Sequence, residues 1–258
     1  MKILILGCGW VGEAFAAYML RTGAELWVTT TNDDKARRLE QLGLRTAVID
    51  FDTFADIRLL PSSFDYILTS VPAASKHQPQ VLSERFDRVK AFIGQFDYKG
   101  HIFLSSVGIY PDRDGTFDET HTSDLNDRLR SAEERMLSLP RTAVYRLGGL
   151  FGKNRIFAKY FADKVCTTGD QVANFVHVED VVQLIVEGFQ QGLSDGVYNI
   201  VCPDHPSKRH VIEASARKYG YKLPLAFAPE HIFHKIVLSD KIIRATGYTF
   251  KYASPVDF

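Results

Sequence analysis

The chain predicts an α/β fold: a doubly wound parallel sheet with helices on both faces and a smaller C-terminal lobe. Three observations predict it. Short apolar runs alternate with helix-length amphipathic segments through the first two-thirds of the 258 residues. The first run, Lys2 to Leu6, leads into Gly7-x-Gly9-x-x-Gly12 and then a helical pattern carrying Ala14, Phe15, Tyr18 and Met19. After Leu147 that rhythm breaks into segments punctuated by glycine and proline. Strands separated by helix-length connections make right-handed crossovers. Uninterrupted apolar strands are what a sheet covered on both faces requires.

Taken in order, strands are expected at 2–6, 25–30, 46–50, 66–70, 101–106 and 142–147. Helical periodicity falls between them at 11–22, 35–42, 81–95 and 123–139. The apolar opening is too short for the core of a signal peptide and meets a glycine turn, so it reads as a strand. Beyond Leu147, Gly148, Gly149 and Gly152 make a loop. Helices follow near 156–164 and 179–191, then a strand at 197–201 and a helix at 208–219. Pro203, Pro206, Pro224, Pro229 and Pro255 interrupt this part. The expected organisation is a nucleotide-binding domain over 1–150 and a substrate lobe over 151–258, interleaved with the end of the sheet.

Composition narrows the class of partner. Hydrophobic residues make up 45% and charged residues 24%, ordinary for a soluble globular protein. The formal net charge of +0 offers no attraction to nucleic acid or an anionic membrane. No run is long enough to span a bilayer. Cys8, Cys166 and Cys202 are odd in number, widely spaced and without a zinc pattern. They point to a reducing compartment, with the cytoplasm as the expectation. His231 and His234 lie three apart with no third ligand in view, so no metal is expected.

The glycine run carries the chemistry. Strand, tight turn and helix in that order are the context that raises Gly-x-Gly-x-x-Gly above chance. Gly7 allows the turn, Gly9 lets the backbone approach a pyrophosphate, and Gly12 lets the helix lie on the strand. The N–H groups at the helix start, around Trp10 and Val11, then face phosphates. The sheet is therefore expected to be Rossmann-like and to bind a dinucleotide. An acid at the end of the second strand would favour NAD by accepting from the ribose 2′-hydroxyl. This chain has Thr30, Thr31 and Asn32 there, followed by Lys35, Arg37 and Arg38, which leans to NADP(H). Asp33 or Asp34 can equally cap the next helix. Asp50 and Phe51 follow the third strand, where a carboxylate can accept from the adenine amino group or make a surface turn. Ser70, Val71 and Pro72 follow the fourth strand and are placed near the nicotinamide ribose. Lys76 and His77 follow them in a loop that could close over a substrate.

Five further segments share a resemblance. Ser105-Ser106-Val-Gly-Ile-Tyr110, Phe117-Asp-Glu119, Arg146 to Gly152 with Arg155, Asn174-Phe-Val-His177-Val-Glu-Asp180, and Gly196-Val-Tyr-Asn-Ile200 occur in that order. Together they resemble the extended short-chain dehydrogenase/reductases, the family of sugar-nucleotide epimerases, dehydratases and reductases. The resemblance implies that Ser106 orients a substrate oxygen, that Ser105 and the sheet edge face the cofactor, and that Arg155 holds a substrate phosphate or carboxylate. It also implies a tyrosine acid/base with a lysine four residues later, because an unperturbed phenol is a poor base at neutral pH. The segment 123–139 contains neither residue. Matching the family's downstream glutamate to Glu134 puts Asn126 and Arg130 at those places, and shifting by one puts Leu125 and Leu129 there. Arg130 could still donate to the cofactor ribose. Tyr110 and His177 are the remaining candidates for proton transfer.

Early glycines kept with the Tyr-Lys pair lost resembles the atypical members, and among them a YeeZ-like group described as NAD(P)-dependent epimerase/dehydratases. The implied function is that of an oxidoreductase or epimerase/dehydratase acting on a small polar substrate such as a sugar nucleotide. The alternative is a sensor or regulator that binds NAD(P) without turnover. Many relatives form homodimers through paired helices, although the charged segment 123–139 is polar for that purpose.

Overall fold

The computed structural model describes residues 1–53, 60–73, 78–230 and 232–258. Lys76, His77 and His231 lie outside the described residues. In chain order the elements are β1 (Lys2–Leu6), α1 (Trp10–Leu20), β2 (Glu25–Thr30), α2 (Asp33–Gln41), β3 (Arg45–Val48), β4 (Tyr66–Thr69), α3 (Pro79–Ile93) and β5 (Gly100–Ser106). Then come β6 (Gly115–Phe117), α4 (Asp127–Leu137), β7 (Thr142–Leu147), β8 (Gly149–Phe151), α5 (Phe157–Phe161), β9 (Val165–Cys166), β10 (Phe175–His177) and α6 (Val178–Gln190). The chain ends with β11 (Asp195–Ile200), α7 (Lys208–Tyr219), β12 (Ala226–Phe227), β13 (Lys235–Val237) and α8 (Asp240–Thr246).

Seven strands form one sheet in the order β11-β7-β5-β4-β1-β2-β3. Its pairs from β3 to β5 are parallel. The chain starts in the middle, winds outward through β2 and β3, then returns to build the other half from β4. That is the doubly wound Rossmann order, and its switch point lies between β1 and β4, where such sheets bind ligands at the carboxyl ends of the strands. Ile3, Leu4, Ile5 and Leu6 are all 0% exposed, which is why β1 reads as an unbroken apolar run.

By contact density the chain divides into two compact units. The first comprises Met1–Ile109, Leu125–Arg146 and Ile185–Val197, and the second Tyr110–Asp124, Leu147–Leu184 and Tyr198–Phe258. Within the second unit, short parallel pairs join β8 to β10, β9 to β12 and β6 to β13. These two- and three-residue strands and α8 were not expected from the sequence, because segments so short show no periodicity. The expected helix at 123–139 is also shortened. The Asn126 side chain accepts from the N–H groups of Arg128 and Leu129 and starts α4 there. No helix among the described residues is long and apolar enough to cross a membrane.

Two buried histidines make stability depend on acid. His101 is fully buried in β5, its Nε2 2.9 Å from Thr69 Oγ1 and its Nδ1 3.0 Å from Thr142 Oγ1. Burial pushes its pKa down from 6.5 to about 3. Burial likewise lowers His177, in the second unit, to about 4, against the opposing pull of Glu179 and Asp180. Both rings are neutral when folded and take up protons more readily when unfolded. Their contribution is therefore complete above about pH 6.5 and is lost as pH falls toward 4 and then 3. The urea midpoint should be lower at pH 4.5 than at pH 7.5; a flat profile would show that these rings are hydrated in the folded chain.

Candidate functional site

The loop between β1 and α1 is fastened to β2 by two hydrogen bonds. Gly7 N–H donates to Thr29 Oγ1 at 2.9 Å and Cys8 N–H to the Thr29 carbonyl at 2.8 Å. Gly7 has φ +74°, and a Cβ there would lie 3.1 Å from the Ser70 carbonyl and the Val71 nitrogen. Glycine is required at this position by both conformation and space. Gly12, behind the loop, would place a Cβ 3.3 Å from Ile5 Cγ2, so it sets how closely α1 lies on β1.

Gly9 differs from both. A Cβ there meets nothing nearer than the Gly7 carbonyl at 3.8 Å. It would project toward a cleft of about 420 Å³ whose walls include Gly7, Cys8 and Gly9. Gly9 is also the N-cap of α1, with no side-chain capping bond. A helix start without a side-chain cap presents the positive end of the helix dipole, which suits a phosphate. Trp10 and Val11 form the first turn of this helix. Burial, with help from Glu13, pushes the Cys8 thiol up to about 11, so it is protonated and no nucleophile at neutral pH.

The same cleft collects most of the residues expected to hold a cofactor. Thr30, Thr31 and Lys35 line one side, Asp50 and Phe51 another, and Ser70, Val71 and Pro72 a third. Asn32 instead caps α2, accepting from Lys35 N–H at 2.8 Å. Asp50 Oδ1 accepts from Asp52 N–H at 2.9 Å in a local turn. Two wall residues were not foreseen as a pair. Arg85 of α3 donates from Nε to Asp52 Oδ1 at 2.7 Å and from Nη2 to Oδ2. Its guanidinium therefore braces the loop after β3. They stand 33 residues apart, and nothing in the sequence marks Arg85.

Ser105 and Arg130 stand elsewhere. Ser105 Oγ donates to Glu133 Oε1 at 2.6 Å, and Arg146 closes on the same carboxylate through Nε at 3.0 Å and Nη2 at 2.7 Å. All three are buried. Leu129, Ala132, Glu133 and Met136 form the buried face of α4. Arg130 lies on its other side, half exposed, paired with Asp127 at 2.7 Å and Glu134 at 3.9 Å. It lines a separate groove of about 710 Å³ between α3 and α4. Ser106 ends β5 half-buried, its Oγ accepting from Gly108 N–H at 3.0 Å.

In the second unit, Tyr110 is 2% exposed. Its hydroxyl lies 2.9 Å from both the Asp118 carbonyl and Asn199 Oδ1. Glu119 accepts from Asn199 N–H at 2.6 Å, while burial raises its carboxyl above the ordinary range. The segments that carried Tyr110, Phe117 to Glu119 and Tyr198-Asn199 are thus tied together by hydrogen bonds. His177 is 1% exposed, accepts at Nδ1 from Glu179 N–H at 3.2 Å and packs on Tyr252. The neutral tautomer that fits this bond carries its proton on Nε2. Asp180 accepts from Tyr248 Oη and Lys251 N–H, both at 2.7 Å, which fastens the C-terminal segment. Arg155 is half-buried beside the backbone bridge it makes with Gly152. No group of three or more His, Cys, Asp or Glu that could hold a metal ion occurs among the described residues.

Strand order, glycine turn and uncapped helix start define a Rossmann-like α/β protein with the fold of the short-chain dehydrogenase/reductase epimerases. Along nearly its whole length the chain is similar to Protein YeeZ of Escherichia coli K12, 26% identical over an alignment of 278 positions that covers 99% of this chain and 97% of that protein. No protein-family model matches. Among solved structures, the UDP-Glc/GlcNAc 4-epimerase of Campylobacter jejuni superposes with a TM-score of 0.80 at 20% identity, covering 99% of this chain and 95% of its own. The human epimerase family protein SDR39U1 with NADPH does so with a TM-score of 0.71 at 16% identity, covering 99% and 97%.

Proposed function

We propose that the chain binds a nicotinamide dinucleotide, with a lean to NADP(H), in the cleft of its first unit. It is read as an oxidoreductase or epimerase/dehydratase of the cytoplasm acting on a small polar substrate such as a sugar nucleotide. The observation that carries this is the empty space where a Gly9 Cβ would be, at the uncapped start of α1. The residues fit the group: the start of α1 would take the pyrophosphate, and the loops after β2, β3 and β4, which wall the same cleft, would take the rest. The neighbour crystallised with NADPH supports the same reading. Such a dinucleotide supplies hydride transfer; the chain would supply binding and orientation. Fluorescence titration with NADPH and NADH tests the proposal.

A second reading, a dinucleotide-binding sensor without turnover, is favoured by α4. Glu133 is the buried, ion-paired member of the Glu133-Glu134 pair. Taking it as the family's glutamate sets the register in which Leu125 and Leu129 replace the acid/base tyrosine and its lysine. Neither leucine can move a proton. The hydroxyl of Tyr110 is engaged in structural bonds, and His177 is held neutral. We expect Tyr110→Phe to cost about 1 kcal/mol of stability and to leave dinucleotide binding unchanged. A loss of about 10²–10⁴-fold in turnover in that variant would instead assign Tyr110 the proton and favour the enzyme reading.

A further inference from the structure

Glu13, in the first turn of α1, reaches two cations on α2. Its Oε1 lies 2.9 Å from Lys35 Nζ and its Oε2 2.9 Å from Arg38 Nη2. The Glu13 and Lys35 side chains are only 30% and 28% exposed, so solvent screens this pair less than a fully exposed one. Asn32 anchors the start of α2 through the Lys35 N–H, and Lys35 then lines the cleft beside Thr30 and Thr31. Burial works against the Glu13 carboxylate, yet hydrogen bonds from Lys35 and Arg38 outweigh it and hold the group below its ordinary range. It is an anion throughout the neutral range.

Lys35 and Arg38, two of the three cations that follow β2, are therefore already matched to an internal anion. A ribose 2′-hydroxyl needs no cation, whereas a 2′-phosphate is favoured by nearby ones. To take that phosphate, Lys35 and Arg38 must loosen from Glu13 or accept a second anion beside it. Like charges that close repel. Resting on the dinucleotide reading above, we infer that Glu13 is a specificity-determining residue. Its carboxylate competes with the cofactor's 2′-phosphate for Lys35 and Arg38 and narrows the preference for NADPH over NADH. A carboxylate that only staples α1 to α2 would affect stability and treat the two dinucleotides alike.

The test is fluorescence titration of the full chain with NADPH and with NADH, before and after Glu13→Gln. The amide keeps the shape and removes the charge. NADPH should bind about tenfold tighter, and NADH should change by less than about twofold. Lys35→Gln gives an independent answer, since it should weaken NADPH about tenfold relative to NADH. Equal shifts for both dinucleotides, or no shift in their ratio, would overturn the inference while leaving the dinucleotide site intact. Binding of neither by the unsubstituted chain would overturn the reading beneath it, and the inference with it.

Discussion

Replacing Glu133 with alanine should destabilise the first unit by about 3–5 kcal/mol, because the buried Arg146 guanidinium would lose the carboxylate it meets through two nitrogens. Glu133 and Arg146 are 3% and 5% exposed. Ser105 Oγ would lose its acceptor in the same step. The neighbouring Glu134→Ala removes an exposed carboxylate and should stay within about 0.5 kcal/mol. Substituting the pair together, Glu133→Leu with Arg146→Met, should recover much of the loss, since two apolar groups need no partner. Urea unfolding of the four chains measures this. A cost below about 1 kcal/mol for Glu133→Ala would mean that water reaches Arg146, and α4 would then not be sealed against β5 and β7.

Gly9→Val should abolish dinucleotide binding by about a hundredfold or more without unfolding the chain. The backbone at Gly9, with φ −81° and ψ −158°, is one that any residue adopts. Chain neighbours aside, an added Cβ there has only the Gly7 carbonyl within 4 Å, at 3.8 Å. The methyl groups are therefore expected to occupy the cleft that Gly9 lines. Gly12→Val makes the contrast: its Cβ already presses on Ile5 and should cost about 1–3 kcal/mol of stability. Titration with NADPH and NADH beside a urea midpoint separates the two. Retained affinity in Gly9→Val would remove the cleft from the function altogether.

Much of the first unit was legible because its signals are local. The glycine turn, the apolar runs of β1 and β2 and the helix α1 each declare themselves within a dozen residues. The loops after β2, β3 and β4 could be assigned to one site because a parallel sheet brings the carboxyl ends of its strands to one edge. Small displacements at the ends have local causes, such as the Asn126 cap that shortens α4.

By itself, then, the sequence determined the doubly wound sheet and the glycine loop that looks into its cleft. What it could not decide was which of several chemically identical residues faces inward. Glu133 and Glu134 are the same side chain one position apart, and about 100° of helix rotation separates a buried ion pair from a solvated surface. The partners of Lys35, Asp52 and Tyr110 likewise depend on elements far apart in the chain. Charge pairing and burial are properties of distance in space, and only the folded chain brings Glu13 to Lys35, Arg85 to Asp52, Tyr110 to Asn199 and Glu133 to Arg146.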